Sequence, residues 1–232
     1  MKIQELSPAA ITHNTELNPK LWDNQKLIPE VRHKLLTIAK HFAEYLNVKR
    51  LNLKDITISG SNASYGYSDS SDVDLHLVCV VDEDQAELYD AKKNVYNSRY
   101  SIKIKDIDVE LYVQDYKQTH HSSGIYSVLN DKWLSEPKGD APKATHKEVK
   151  AKARNYASHI NQALKSNELD KAKQTMASIR KLRQAGLEQG GEYSVENLAF
   201  KLLRARGQID KLRKYIDKLE SAKLSIGEHN ES

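Results

Sequence analysis

The stretch Asp72-Val73-Asp74-Leu75-His76-Leu77-Val78-Cys79-Val80-Val81 constrains this 232-residue chain more than any other. After Asp74 it is nearly continuous in apolar residues, which predicts a strand over Val73 to Val81 whose later part is buried on both faces. Side chains alternate along a strand, so Asp72, Asp74 and His76 share one face while Val73, Leu75 and Leu77 take the other. Two acids are thereby held side by side at the start of a core strand. Adjacent carboxylates repel, and burying them is costly unless a cation or a proton compensates, so the pair points to a divalent metal. Donors that are all oxygen favour Mg²⁺ or Mn²⁺ over zinc.

Composition narrows the remaining choices. Apolar residues make up 39% and charged residues 29%, with only 9 glycines and 5 prolines, which fits a folded globular chain and excludes collagen-like or extended disordered ones. The longest uninterrupted apolar run, Leu77 to Val81, falls far short of the roughly 20 residues that span a bilayer. Met1-Lys2-Ile3-Gln4-Glu5 lacks the apolar stretch of a signal peptide, so a cytoplasmic location is expected. A single cysteine, Cys79, excludes an intrachain disulfide framework and any multi-cysteine zinc site. The net charge of +4 conceals a division: residues 1 to 142 carry 17 Lys+Arg against 21 Asp+Glu, and residues 143 to 232 carry 19 against 11. A polyanion is the natural partner for the second part, although a basic, solvated helical surface has the same composition.

The composition changes at Ser135-Glu136-Pro137-Lys138-Gly139-Asp140-Ala141-Pro142, where a domain boundary is expected. Upstream, residues 1 to 28 read as an irregular arm. Val31, Leu35, Ile38, Phe42 and Tyr45 then recur at the spacing of an amphipathic helix. Ile56 to Ser59 reads as a short strand ended by Gly60-Ser61, and Glu83 to Ser98 as a helix. Tyr100 to Ile104 and Ile107 to Val113 form a hairpin pattern joined by Lys105-Asp106. Downstream, Lys143 to Ser166, Glu168 to Gln189 and Ser194 to Ala222 have helix-forming composition, and three antiparallel helices are expected.

On the second hairpin strand Ile107, Val109, Leu111 and Val113 alternate with Asp108, Glu110 and Tyr112. If it lies beside the Asp72/Asp74 strand with its polar face turned the same way, three or four carboxylates converge, enough for a two-metal phosphoryl-transfer site. Gly60-Ser61 supplies a further part. A glycine after a strand lets backbone approach phosphates, and exposed amides with the Ser61 hydroxyl bind anionic oxygens.

Gly60-Ser61, ten intervening residues, Asp72-Val73-Asp74 and a later acid-bearing strand together resemble the signature of the polymerase-β-like nucleotidyltransferase superfamily, over about residues 30 to 115. The resemblance implies a small mixed nucleotidyltransferase sheet flanked by helices, placed over residues 29 to 136; with the helical pattern downstream, an all-α helical basic domain over residues 143 to 224, the chain is expected to be α+β. The resemblance also implies transfer of a nucleoside monophosphate from an NTP, ATP being the first choice, to a hydroxyl group with two Mg²⁺ or Mn²⁺ ions. Gly60 and Ser61 would hold the triphosphate, and Asp72 and Asp74 would ligate metal. The third ligand stays open between Asp108, set between apolar residues as in the family, and Glu110. The latter begins Glu110-Leu111-Tyr112-Val113-Gln114-Asp115, a run similar to one in small phage-encoded nucleotidyltransferase-like proteins, and is slightly favoured. Alternatives are a catalytically silent relative that binds RNA or protein, and alarmone-type pyrophosphate transfer, whose single-acid first strand Asp72-Val73-Asp74 does not match.

Other residues read more plainly. His76 on the acid face is a hydrogen-bonded neighbour rather than a ligand, and Asp69 to Asp74 lacks the glycine and distal glutamate of an EF-hand. Lys92, Lys93 and Arg99 read as a solvated helix face. His120-His121 lacks zinc-ligand spacing. The loop through Ser123, Tyr126 and Trp133 is either a cleft border, with Tyr126 stacking on a base and Ser123 touching ribose or phosphate, or an ordinary connector. Arg180, Lys181, Arg183, Lys201, Arg204, Arg206, Lys211, Arg213 and Lys214 make the helical part a candidate surface for RNA or tRNA phosphates. Too few aromatic residues accompany them for base stacking.

Overall fold

The computed structural model describes residues 13–47, 52–69, 71–82, 85–118, 122–139 and 144–225. The start of the irregular arm, residues 1–12, His120-His121, the Asp140 to Pro142 end of the boundary segment and residues 226–232 lie outside them. The chain divides into two compact units, one holding residues 12–141 and the other residues 142–232 together with 1–11. The described parts are mixed α+β in the first unit and all helical in the second.

In the first unit a two-stranded ribbon, β1 (Trp22–Asp23) and β2 (Lys26–Leu27), precedes α1 (Pro29–Leu46). Part of the segment read as an irregular arm thus belongs to the core: Leu17, Leu21, Trp22 and Leu27 are all buried. Proline sits at the first position of α1, where its missing N–H costs nothing, and Asn47 ends the helix in the left-handed conformation, donating to Glu44 O at 3.1 Å. Val31, Leu35, Ile38 and Phe42 form the buried stripe that their spacing predicts.

The main sheet holds β3 (Leu53–Ser59), β4 (Val73–Cys79), β5 (Lys103–Ile104), β6 (Ile107–Asp115), β7 (Ile125–Ser127) and β8 (Lys132–Ser135), in the order β5-β6-β4-β3-β7-β8. Only the central pair β4 and β6 is parallel. Parallel neighbours need a crossover, and α2 (Ala86–Arg99) with β5 supplies it. Asn97 of α2 fastens that crossover to the strand: its side chain donates to Leu111 O at 2.9 Å and accepts from Leu111 N at 3.0 Å. The β5–β6 turn is the expected hairpin, with Lys105 and Asp106 both at positive φ (49° and 67°), the twist that suits a two-residue connection.

Burial alternates strictly along β4. Val73, Leu75, Leu77 and Cys79 are buried and Asp74, His76 and Val78 half-buried. Val109 and Leu111 continue the buried face on β6. This face joins α1 and the α2 tyrosines Tyr89 and Tyr96 in one core.

The segment read as either a cleft border or a connector forms strands β7 and β8. Tyr126 is fully buried, meets Trp22 and Trp133 edge-on at ring distances of 5.0 Å, and donates its hydroxyl to Asp131 at 2.8 Å. It therefore has no free face on which a base could stack. Its neighbours Trp22 and Trp133 stack on each other, centroids 4.8 Å apart, so the connector reading holds for Trp133.

Among its described residues the second unit contains α3 (His146–Ser166), α4 (Leu169–Gly190), α5 (Val195–Ala205) and α6 (Gln208–Leu224), four α-helices where composition predicts three. The expected third helix is cut at Gly207, which takes φ 67°. Helix-forming composition does not reveal such a cut, because one glycine inside a helical pattern weakens it only modestly. The start of α3 is fixed by a capping box in which Thr145 Oγ1 and the Glu148 carboxylate exchange hydrogen bonds with each other's backbone amides. Tyr156, Ile160, Met176, Ile179, Leu198 and Leu203 lie in this unit's own core.

Candidate metal centre

The parallel register sets Val73 opposite Val109, Asp74 opposite Glu110, Leu75 opposite Leu111 and His76 opposite Tyr112. Because partners across a ladder share a face, burying Val73, Leu75, Val109 and Leu111 turns Asp74 and Glu110 together to the other side. Asp72, at the loop end of β4, joins them. One carboxylate oxygen from each of Asp72, Asp74 and Glu110 can be chosen so that all three lie within 4.8 Å of one another, and all three residues are half-buried.

Asp108 is not in this group. It lies on β6 one step before the cluster, exposed, and pairs with Lys103 of β5 at 3.1 Å. The hairpin partner strand thus takes up the carboxylate that the sequence left in competition with Glu110.

The donor chemistry suits a hard divalent cation. Two oxygens on one Mg²⁺, each about 2.1 Å from it, can be no more than about 4.2 Å apart. Slight closure of the carboxylates fits one ion, and their spread also suits a pair of ions about 3.5–4 Å apart. Half-buried carboxylates this close repel one another, and a cation between them offsets that repulsion.

Gly60 stands directly beside Asp74, and Ser61 follows it. Gly60 has φ 76° and ψ −160°, a conformation essentially reserved for glycine, and a Cβ placed on it would lie 2.1 Å from Asp74 Oδ2. The glycine is therefore what allows strand β3's end to touch the Asp74 carboxylate. A 3₁₀ turn, Ser61–Ala63, follows. Ser61 Oγ donates to Ser71 Oγ at 3.0 Å, and the Gly60 amide donates to Ser122 Oγ at 3.0 Å. Ser122 Oγ in turn donates to Gly124 O at 3.0 Å, and Ser123 Oγ is buried with no hydrogen-bond partner.

Sequence reasoning missed Asn62. Its Nδ2 donates to Ser71 O at 3.1 Å and Asp72 O at 2.8 Å, its Oδ1 accepts from Asn18 at 2.8 Å, and its backbone O accepts from the Trp22 indole at 2.8 Å. This buried amide ties the glycine-serine turn to the backbone that presents Asp72. Its signal was its type: a residue with both donors and acceptors, one place after Gly60-Ser61, suits a loop that must hold ten further residues in place.

Behind the carboxylates lies a ring layer. His76 and Tyr112 stack at 4.9 Å with planes 17° apart, and His76 Nε2 shares a hydrogen bond with Ser59 Oγ at 3.1 Å. The expected neighbour role of His76 is what these contacts describe. Burial pushes the Tyr112 phenol well above its ordinary value. The charges of Asp74 and Glu110, a hydrogen bond from its hydroxyl to Glu110 and the charge of Asp72 act in the same direction. Lys93 does not simply face solvent: its ammonium lies 5.3 Å from the Tyr112 ring centre and pairs with Asp90 at 3.0 Å. Lys92 donates to Leu46 O.

In the helical unit, Arg180, Lys181, Arg204, Arg206, Lys211, Arg213 and Lys214 are exposed. Arg183 is not part of that surface. It packs over the Phe200 ring at 4.5 Å and donates to Asn197 Oδ1 at 3.0 Å.

No protein-family model matches the chain, and no curated protein matches it at a significant level. Among solved structures, that of a STING-associated CdnE c-di-GMP synthase from Capnocytophaga granulosa is similar at 13% identity, over 85% of this chain and 84% of that one, with a TM-score of 0.24. A TM-score that low does not establish a shared fold. Among the described residues, no helix is long and apolar enough to cross a membrane.

Proposed function

We propose that the chain is a divalent-metal-dependent nucleotidyltransferase that moves a nucleoside monophosphate from an NTP, ATP being the first candidate, to a hydroxyl acceptor. The observation that carries this reading is the convergence of Asp72, Asp74 and Glu110 from two neighbouring parallel strands, beside a glycine whose backbone touches one of them. Asp72, Asp74 and Glu110 are the residues that would hold Mg²⁺ or Mn²⁺. Bound there, such ions neutralise charge developing on the phosphoryl oxygens and lower the pKa of the acceptor hydroxyl. Gly60 and Ser61 would cradle the triphosphate once the Gly60 amide and the Ser61 hydroxyl exchange their present acceptors, Ser122 and Ser71, for phosphate oxygens. In this reading the acceptor oxygen would bond to the α-phosphorus as the bond to pyrophosphate breaks, with the acceptor's proton passing to Glu110. Asp108, held by Lys103, takes no part.

For the acceptor, the exposed basic residues of the helical unit support RNA, whose phosphates they would contact in a salt-dependent manner. The test is to incubate the full chain with each labelled NTP, Mg²⁺ and total cellular RNA or protein. Transfer of label that Asp74→Asn abolishes supports the reading. Tight RNA binding with no transfer under any NTP refutes it in favour of a silent RNA binder.

A further inference from the structure

Asp74 and Glu110 lie opposite each other within the β4–β6 ladder, so the sheet fixes their backbone. Asp72 lies one residue before β4, outside that register. A side chain meets its backbone instead: the Asp72 carbonyl accepts from Asn62 Nδ2 at 2.8 Å, and the Ser71 carbonyl accepts from the same nitrogen at 3.1 Å. Asn62 is fixed in turn from the segment upstream of α1. Its Oδ1 accepts from Asn18 Nδ2 at 2.8 Å and its backbone carbonyl from the Trp22 indole at 2.8 Å, and both asparagines are buried. Asn18 is pinned by its own turn, where its carbonyl accepts from the Leu21 and Trp22 amides at 2.9 Å and its Oδ1 from the Lys20 amide at 3.1 Å. Four residues earlier, Asn14 Nδ2 donates to the Tyr65 and Tyr67 carbonyls at 3.1 and 2.9 Å, on the same connector that leads to Asp72. A primary amide carries donors and an acceptor together, so Asn62 can serve Asp72 and Asn18 at once.

We infer that Asn62 is a positioning residue for Asp72: with its Oδ1 held by Asn18, its Nδ2 holds the Asp72 backbone where the carboxylate can join those of Asp74 and Glu110. This role rests on the metal-site reading proposed above and extends the site to two side chains outside the ligand set, one of them from the segment before α1. Groups that orient a ligand without touching the metal change its affinity by roughly 10–100-fold when removed. Asn18→Ala removes the anchor and keeps the Asn62 amide, so it should act in the same direction as Asn62→Ala and less strongly.

The experiment is a double-mutant cycle read by titration of Mn²⁺ into the full-length chain, with free ion followed by electron paramagnetic resonance well below each variant's melting temperature. Wild type is expected to bind Mn²⁺, and Asn62→Ala to bind it about tenfold or more weakly. Asp72→Asn should also bind more weakly, through Asp74 and Glu110. Adding Asn62→Ala to Asp72→Asn should then change affinity by less than about twofold, because the group that Asn62 positions has gone. Ser127 is the control: its buried hydroxyl donates to Asp55 Oδ1 at 2.7 Å and accepts from the Asn130 amide at 3.0 Å, so Ser127→Ala should lower the melting temperature and keep wild-type affinity. Equal Mn²⁺ affinity in wild type and Asn62→Ala overturns the inference and leaves the carboxylate site standing. So does an equal loss in both backgrounds, or a matching loss in Ser127→Ala, since either makes Asn62 a support of the whole unit. Absence of Mn²⁺ binding in wild type overturns both the inference and the site. Should Asn62→Ala not fold, Asn18→Ala takes its place in the same cycle: a loss confined to the Asp72 background supports the inference, and any other result overturns it.

Discussion

Gly60 is the position where backbone and chemistry are least separable, and Gly60→Ala tests both. With φ 76° and ψ −160° the residue occupies a region that costs any other residue on the order of 1–3 kcal/mol. For a unit of this size that is a loss of roughly 4 to 12 °C in melting temperature. The side chain adds a second, distinct cost. The new methyl would stand 2.1 Å from Asp74 Oδ2 and 3.2 Å from its Cγ, whereas a carbon and a carbonyl-type oxygen in close contact sit roughly 3.3–3.6 Å apart. The carboxylate must withdraw by about 1 Å or more, which takes an oxygen out of the cluster it forms with Asp72 and Glu110. Displacement of that size at a reacting centre costs about 10²-fold in rate. Gly207→Ala separates the two costs, because Gly207 also has positive φ, 67°, but no atom within 4 Å of an added Cβ. It should lose stability through strain alone and keep wild-type Mn²⁺ affinity, as read by thermal denaturation and Mn²⁺ titration. A Gly60→Ala protein that matches wild type in Mn²⁺ affinity and nucleotidyl transfer would refute the claim that this glycine exists to admit the Asp74 carboxylate.

Three further outcomes are expected. Asp108→Asn should leave Mn²⁺ affinity and transfer within about twofold of wild type, and stability within about 1 kcal/mol, since its pair with Lys103 is exposed; a tenfold loss of transfer would restore Asp108 to the metal site. Cys79, whose thiol burial pushes up to about 12, should resist iodoacetamide at pH 8 and become labelled only when urea unfolds the protein, which mass spectrometry of the intact chain reads directly. Burial first, then a neighbouring tyrosine, an Asp131 hydrogen bond and a glutamate respectively, hold Tyr96, Tyr126 and Tyr193 up to about 12. In the folded state these groups keep protons that the unfolded chain has lost, so their stabilisation is intact below pH about 10 and falls as pH rises from there toward 12. Urea midpoints measured between pH 8 and 12 should therefore decline in that window, and a flat profile would contradict the burial of these phenols.

What the sequence revealed follows from which patterns are local. Alternation along Asp72 to Leu77, and again along Ile107 to Val113, is visible in one dimension, so both polar faces could be assigned before any fold was known. The choice between Asp108 and Glu110 was not visible. It depends on which residue of β6 stands opposite Asp74, a cross-strand register, and on Lys103 reaching Asp108 from β5. The burial of Tyr126 was hidden for a similar reason: its partners Trp22 and Trp133 come from opposite sides of the chain, and only Trp133 is close in sequence. Asn62 escaped notice because four hydrogen bonds to distant atoms leave no periodic trace. The break at Gly207 escaped because its flanks suit a helix on either side.

The register that sets Glu110 beside Asp74 is itself bounded by apolar residues. Val73, Leu75, Val109 and Leu111 are buried in matched pairs across β4 and β6. Sliding β6 by one residue would bring Val109 or Leu111 beside Asp74 and turn Glu110 into the core, which removes two large apolar contacts and buries an unpaired carboxylate. The core therefore excludes the one-residue slips of β6 that would turn Glu110 away from Asp74. The carboxylates need no attraction for one another to meet: their mutual repulsion is opposed by apolar burial on the reverse of the same two strands.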